Sequence, residues 1–111
     1  MDDDRPRERL VPAYDLEDVV AAAASGELHI GARVRRYLSR QGWDAERVVS
    51  CISDLSREDF HKAQQHRERE DVWLDIYRPR RGHERLYIKF VAESTGAGYR
   101  LLSFCRDGES H

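Results

Sequence analysis

Val72-Trp73-Leu74-Asp75-Ile76-Tyr77, Leu86-Tyr87-Ile88-Lys89-Phe90-Val91 and the run Tyr99–Arg106 decide the fold class of this chain. The first two stretches alternate with a period of two, the signature of half-buried strands. Pro79 and Gly82 end the first in a basic loop, and Ser94-Thr95-Gly96-Ala97-Gly98 separates the second from the third as a turn. The third is apolar at both Leu101 and Leu102, which marks a central strand. Three strands joined by short connections predict an antiparallel meander.

Upstream the period changes to that of a helix. A first helix is expected over about 16–25, with Asp15 as N-cap, Leu16, Val19, Val20 and Ala23 on one face, and Gly26 as its stop. A second is expected over about 31–41, with Val34, Tyr37, Leu38 and Gln41 at helical spacing and Gly42 ending it. A third starts at Asp44 and repeats Ala45, Val48, Val49, Ile52 and Leu55. Ser56 with Asp59 three residues on resembles a capping box, so a fourth helix carrying Phe60, Lys62 and Ala63 is expected, fraying into His66–Asp71. Leu10–Tyr14 reads as a short strand. Helices first and strands last argue an α+β fold, an antiparallel sheet covered on one face by helices. The expected organisation is an arm over 1–9, one domain over 10–106 and a tail over 107–111.

Composition narrows the function classes. In 111 residues there is room for one modest core, and 40% hydrophobic residues exclude a disordered chain. No apolar run approaches the roughly 20 residues of a membrane helix, and the acidic opening Met1-Asp2-Asp3-Asp4 is unlike a signal peptide. A cytoplasmic setting is expected. Cys51 and Cys105 have no metal-site spacing, and a reduced state is the default for them. His61 and His66 are five residues apart, which is not the i, i+4 spacing of a helical metal pair, so no metal site and no cofactor are expected. Walker, dinucleotide-binding and nucleophile-elbow motifs are missing from the sequence. The net charge of −2 does not mark a nucleic-acid binder, but residues 31–50 and 72–91 each carry five cationic side chains against two acidic ones. The plain interpretation is mixed surface charge; the sharper one is a local basic patch.

Strand parity gives that patch a location. If Leu86, Ile88 and Phe90 face the helices, Tyr87 and Lys89 face away. By the same alternation Val72, Leu74 and Ile76 take the helix side. Trp73, Asp75 and Tyr77 are then expected on the open face, with Leu101, Ser103 and Cys105, while Leu102 and Phe104 join the core. Rings and cations on one surface, beside the Arg78–Arg81 loop, suit single-stranded RNA, whose bases stack and whose phosphates pair with cations. Taken singly, each of these residues reads better as an ordinary half-buried strand aromatic or a solvated lysine, and the parity argument gains weight only from several of them agreeing. Metal-free RNA cleavage needs a group to take the 2′-OH proton, charge to neutralise the phosphorane, and a proton for the 5′-oxygen.

Three segments in fixed order resemble the MqsR (motility quorum-sensing regulator) toxin family. They are Leu55-Ser56-Arg57-Glu58-Asp59-Phe60-His61-Lys62, like its LS-x-x-DF-x-K; Trp73–Pro79, like its W-x-DVYRP; and Leu86-Tyr87-Ile88-Lys89 followed by Leu101-Leu102-Ser103-Phe104, like its YLK and SF strands. The resemblance implies a RelE-like fold and a ribosome-independent endoribonuclease that cuts mRNA at short sequences. It also implies neutralisation by a cognate antitoxin, a helix-turn-helix or zinc-containing protein. It makes Lys62 and Tyr87 functional residues. On this reading Lys62 and Lys89 stabilise phosphate charge, and Tyr87 transfers a proton or orients the phosphate. Arg78, Arg80, Arg81 and His66 are the further RNA-binding candidates. Two positions depart: Leu74 stands where the family typically has glutamine, and Cys105 where it has lysine. Arg106, one position on, is the candidate replacement cation. Either the site is rearranged around His66, Arg78 or Arg106, or catalysis is impaired and the sequence specificity changed; the rival reading is a non-catalytic module on the same scaffold that binds RNA or a protein.

Overall fold

A computed structural model describes residues 7–109, and the expectations for residues 1–6 and 110–111 lie outside it. The elements run β1 (Glu8–Arg9), α1 (Leu16–Ala24), β2 (Leu28–Ile30), α2 (Ala32–Gln41), α3 (Ala45–Ser53), β3 (Phe60–Gln65), β4 (Trp73–Tyr77), β5 (Arg80–Arg81), β6 (Glu84–Ala92) and β7 (Tyr99–Arg106). One α+β layer pair results. The sheet order is β1-β3-β4-β6-β7-β2, with β5 a hairpin extension of β6. Every pairing is antiparallel except β2 with β7, so the sheet is mixed rather than purely antiparallel.

The helices form where their caps are. Asp15 accepts the Glu17 N–H at 3.0 Å, and Asp44 accepts the Arg47 N–H at 2.9 Å. Gly42 closes α2 at φ 73°, a conformation that disfavours any side chain. Val19, Val34, Leu38, Val48 and Ile52 point into one core with Leu86, Ile88, Phe90, Leu101 and Phe104 of the sheet.

The expected fourth helix does not form. Its capping box does, the Ser56 N–H donating to Asp59 at 2.9 Å, but it encloses only a single 3₁₀ turn at Arg57–Asp59. Phe60–Gln65 is instead strand β3, hydrogen-bonded to β4 on one side and to β1 on the other. A local cap cannot outweigh two ladders that become available only once β4 is in place. The strand expected at Leu10–Tyr14 is irregular chain, and the pairing residues of that region are Glu8 and Arg9, inside the segment expected to be an arm.

β4 also takes the opposite parity to the one expected. Tyr77 pairs with Ile88 and Asp75 with Phe90, so both lie on the helix side, while Ile76 pairs with Lys89 on the other. Both alternate sets of β4 are apolar enough to be buried, so the strand alone does not choose; its partner does. Tyr77 stacks on Phe90 with ring centroids 5.7 Å apart, and Arg9 lies 4.0 Å over the Trp73 ring. A bulge between Lys89 and Phe90 opposite β7 brings Leu101 rather than Leu102 into the core, leaving Ser103 and Cys105 on the expected side.

Asp75 is the buried charge of this core. Its carboxylate accepts the backbone N–H of Ala13 at 2.8 Å and of Tyr14 at 2.9 Å, pinning the irregular segment before α1 to the sheet. Burial raises its pKa, against the pull of those two N–H groups. Asp75→Ala orphans both donors and is expected to lower the unfolding free energy by about 2–3 kcal/mol in urea denaturation. A loss below about 1 kcal/mol shows that the segment is held by other contacts.

Candidate functional site

Register builds the site on the sheet face away from the helices. Lys62 pairs with Ile76, and Ile76 pairs with Lys89, so the two lysines flank a fully buried isoleucine on adjacent strands. Their Cα atoms lie two inter-strand spacings apart, about 10 Å, within reach of one phosphate for two long side chains. Lys89 pairs on its other side with Ser103. Two residues before Lys89 on the same face is Tyr87, paired with Cys105. Arg78 follows the end of β4, its backbone N–H held by the Asp59 carbonyl at 2.7 Å.

The electrostatics of this face are those of a half-desolvated cationic surface. Burial lowers the Lys89 pKa, and the nearby Arg67 and Lys62 push it the same way. Burial raises the Tyr87 pKa, with Cys105 and Asp107 adding to it, so the phenol stays protonated at neutral pH. Two carboxylates partner the cations: Glu8 lies 2.5 Å from Lys62, and Asp107 lies 2.5 Å from Arg78. Beside Lys89 a groove of about 770 Å³ is lined by Arg33, Gln64, His66, Arg67 and Leu74.

The structure thus brings Lys62, Tyr87, Lys89 and Arg78 to one face, with His66 on the groove wall. Arg80 pairs with Arg85 on the same side as Tyr87, at the far end. Arg81 turns the other way and lies 2.5 Å from Asp54 at the end of α3. Arg106 is not brought to this face. It pairs with Leu86 on the helix side, bonds Glu84 at 2.6 Å and Gln41, and sits 4.8 Å over the Trp43 ring. Stepping one residue along a strand reverses the face, so Arg106 cannot stand in for the lysine expected at 105. Cys105 is buried, its thiol donates to the Glu109 carbonyl at 3.4 Å, and burial pushes its pKa up. Both cysteines are free. Of the rings expected here only Tyr87 is present, because Trp73 and Tyr77 went to the helix side with the parity of β4.

Three groups at this face were missed by sequence reasoning. Arg33 and Arg67 arrive from α2 and the β3–β4 connection. His61 arrives through the bulge between Phe60 and Lys62 in β3, which a helical reading of that segment hides. A strand reading of Phe60-His61-Lys62 was the signal available.

Residues 11–106 match the family described as motility quorum-sensing regulator, toxin of MqsA. The chain belongs to the MqsR toxin family. The match takes in every element from α1 to β7 and therefore the whole of the face described above except Glu8 and Asp107. No curated protein matches the chain. As an MqsR-family member the chain is a toxin of the toxin–antitoxin kind, and among its described residues no helix is long and apolar enough to cross a membrane.

Proposed function

We propose that this MqsR-family toxin is an endoribonuclease of RelE-like fold. It cleaves cytoplasmic mRNA at short sequences without a metal or the ribosome, and a cognate antitoxin neutralises it. The observation that carries this reading is the register of β3, β4 and β6, which aligns Lys62, Lys89 and Tyr87 on the helix-free face. Lys62 and Lys89 neutralise the charge that accumulates on the phosphorane, and desolvation makes a fixed cation more effective there than in water. Tyr87, held as a phenol, supplies the proton that the 5′-oxygen takes as it leaves. Arg78, Arg80 and His66 take neighbouring phosphates, with Arg33 and Arg67 along the groove, while Arg81, turned to Asp54 on the helix side, takes none.

Purified protein incubated with RNA in excess EDTA tests this. Cleaved product ending in a 2′,3′-cyclic phosphate is the expected result, and intact RNA overturns it. The alternative, a non-catalytic module binding RNA or protein, is favoured by Leu74 and Cys105, which place apolar or neutral groups where the family pattern has glutamine and lysine. Intact RNA together with salt-sensitive binding is its signature.

The Lys62–Glu8 pair predicts a gain. The pair is partly exposed, and an RNA phosphate has to displace the carboxylate. Glu8→Gln is expected to tighten RNA binding by about 2–5-fold at low salt, the range of a surface ion pair. Filter binding of a 2′-O-methyl oligonucleotide reads it, and unchanged affinity shows that RNA does not reach Lys62.

A further inference from the structure

We propose that His61 is the general base that takes the 2′-OH proton in this cleavage. The inference rests on the ribonuclease reading and adds a residue to it that no family motif supplies. A 2′-OH base has to be unprotonated, reachable by the ribose and close to the phosphate cations, with the acid within reach on the far side of the phosphorus. Four observations place His61 so. The extra residue in β3 between Phe60, which pairs with Tyr77, and Lys62, which pairs with Ile76, is His61 itself. The charges that act on it are those of Arg78, Lys62, Asp107 and Glu8, and three of these, Arg78, Asp107 and Glu8, act on Tyr87 as well. It is half-buried rather than packed away. Burial first, then Arg78 and Lys62, lowers its pKa, with Asp107 and Glu8 opposing, so the ring is neutral at physiological pH.

The other groups at the face serve less well. Glu8 is engaged with Lys62 at 2.5 Å and Asp107 with Arg78 at 2.5 Å, so either would abandon a cation to accept a proton. Tyr87 is held protonated. His66 accepts the Glu68 N–H on Nδ1 at 3.1 Å, in the loop on the groove wall. In the step itself a ring nitrogen of His61 takes the 2′-OH proton as O2′ bonds to phosphorus. The P–O5′ bond breaks, and O5′ takes the Tyr87 proton. The imidazolium then returns one proton to the tyrosinate through water, so the transesterification leaves the enzyme unchanged.

The test is single-turnover cleavage of a mixed-sequence transcript in EDTA from pH 5 to 9, beside binding of a 2′-O-methyl oligonucleotide. Wild-type cleavage is expected to rise with pH to a plateau, with a midpoint below the ordinary imidazole value of about 6.5. His61→Gln and His61→Phe are expected to lose about 10²–10⁴-fold in rate and the acidic limb, while still binding the oligonucleotide. Added imidazole is expected to restore part of the rate of His61→Gly. Wild-type protein that cleaves nothing overturns both readings. Wild-type protein that cleaves, with either folded variant keeping its rate and limb, overturns the role of His61 alone. Loss of cleavage in Glu8→Gln overturns it too, by moving the base to Glu8.

Discussion

Tyr87→Phe is expected to lower RNA cleavage by about 10²–10⁴-fold, the range for a positioned proton-transfer group, and to abolish the growth arrest expected when the wild-type toxin is expressed. The substitution removes one oxygen and leaves the ring. Tyr87 packs partly against the core and pairs in register with Cys105, so the ring keeps its place. Its raised pKa means the phenol is the form present through the neutral range, and the pH profile of the wild type is not expected to show a tyrosine limb below about pH 10. Circular dichroism and urea titration check that the variant is folded. A folded variant that still arrests growth and cleaves RNA at the wild-type rate removes Tyr87 from the mechanism.

Lys62→Met carries the second large effect. Methionine keeps most of the apolar stem that lies along the sheet and deletes the ammonium. Losing one preorganised charge opposite the phosphorane is expected to reduce the rate by about 10²–10³-fold. Ground-state affinity should move much less, because Lys62 is already ion-paired with Glu8 at 2.5 Å in the free protein and Arg33, Arg67 and Lys89 remain along the groove. A variant that loses affinity and keeps its maximal rate shows Lys62 to be a docking cation only. Since the fold of β3 depends on its ladders rather than on this side chain, the stability change should stay within about 1 kcal/mol.

Much of this was legible in the chain. Asp15, Asp44 and Gly42 announced the three helices, because a cap is a local hydrogen bond made by the residue itself. Leu86, Ile88 and Phe90 announced their own burial, because in β6 only one alternate set is apolar. Arg106 and the face of Tyr77 were misplaced for a shared reason. Each depends on which residue lies opposite, and a strand does not contain its partner.

What the sequence by itself determined is the α+β class, the three helices, the inward set of β6, and the family, since these rest on local caps, on single-strand alternation and on motifs that stay together in the chain. The tertiary structure alone decided that Phe60–Gln65 is a strand, that Asp75 and Tyr77 face the helices, and that His61 joins Lys62 and Tyr87 while Arg106 does not. Pairing makes the difference: a one-residue bulge or a choice between two equally apolar faces has almost no local energy difference, and only the ladders and the packing of neighbouring strands resolve it.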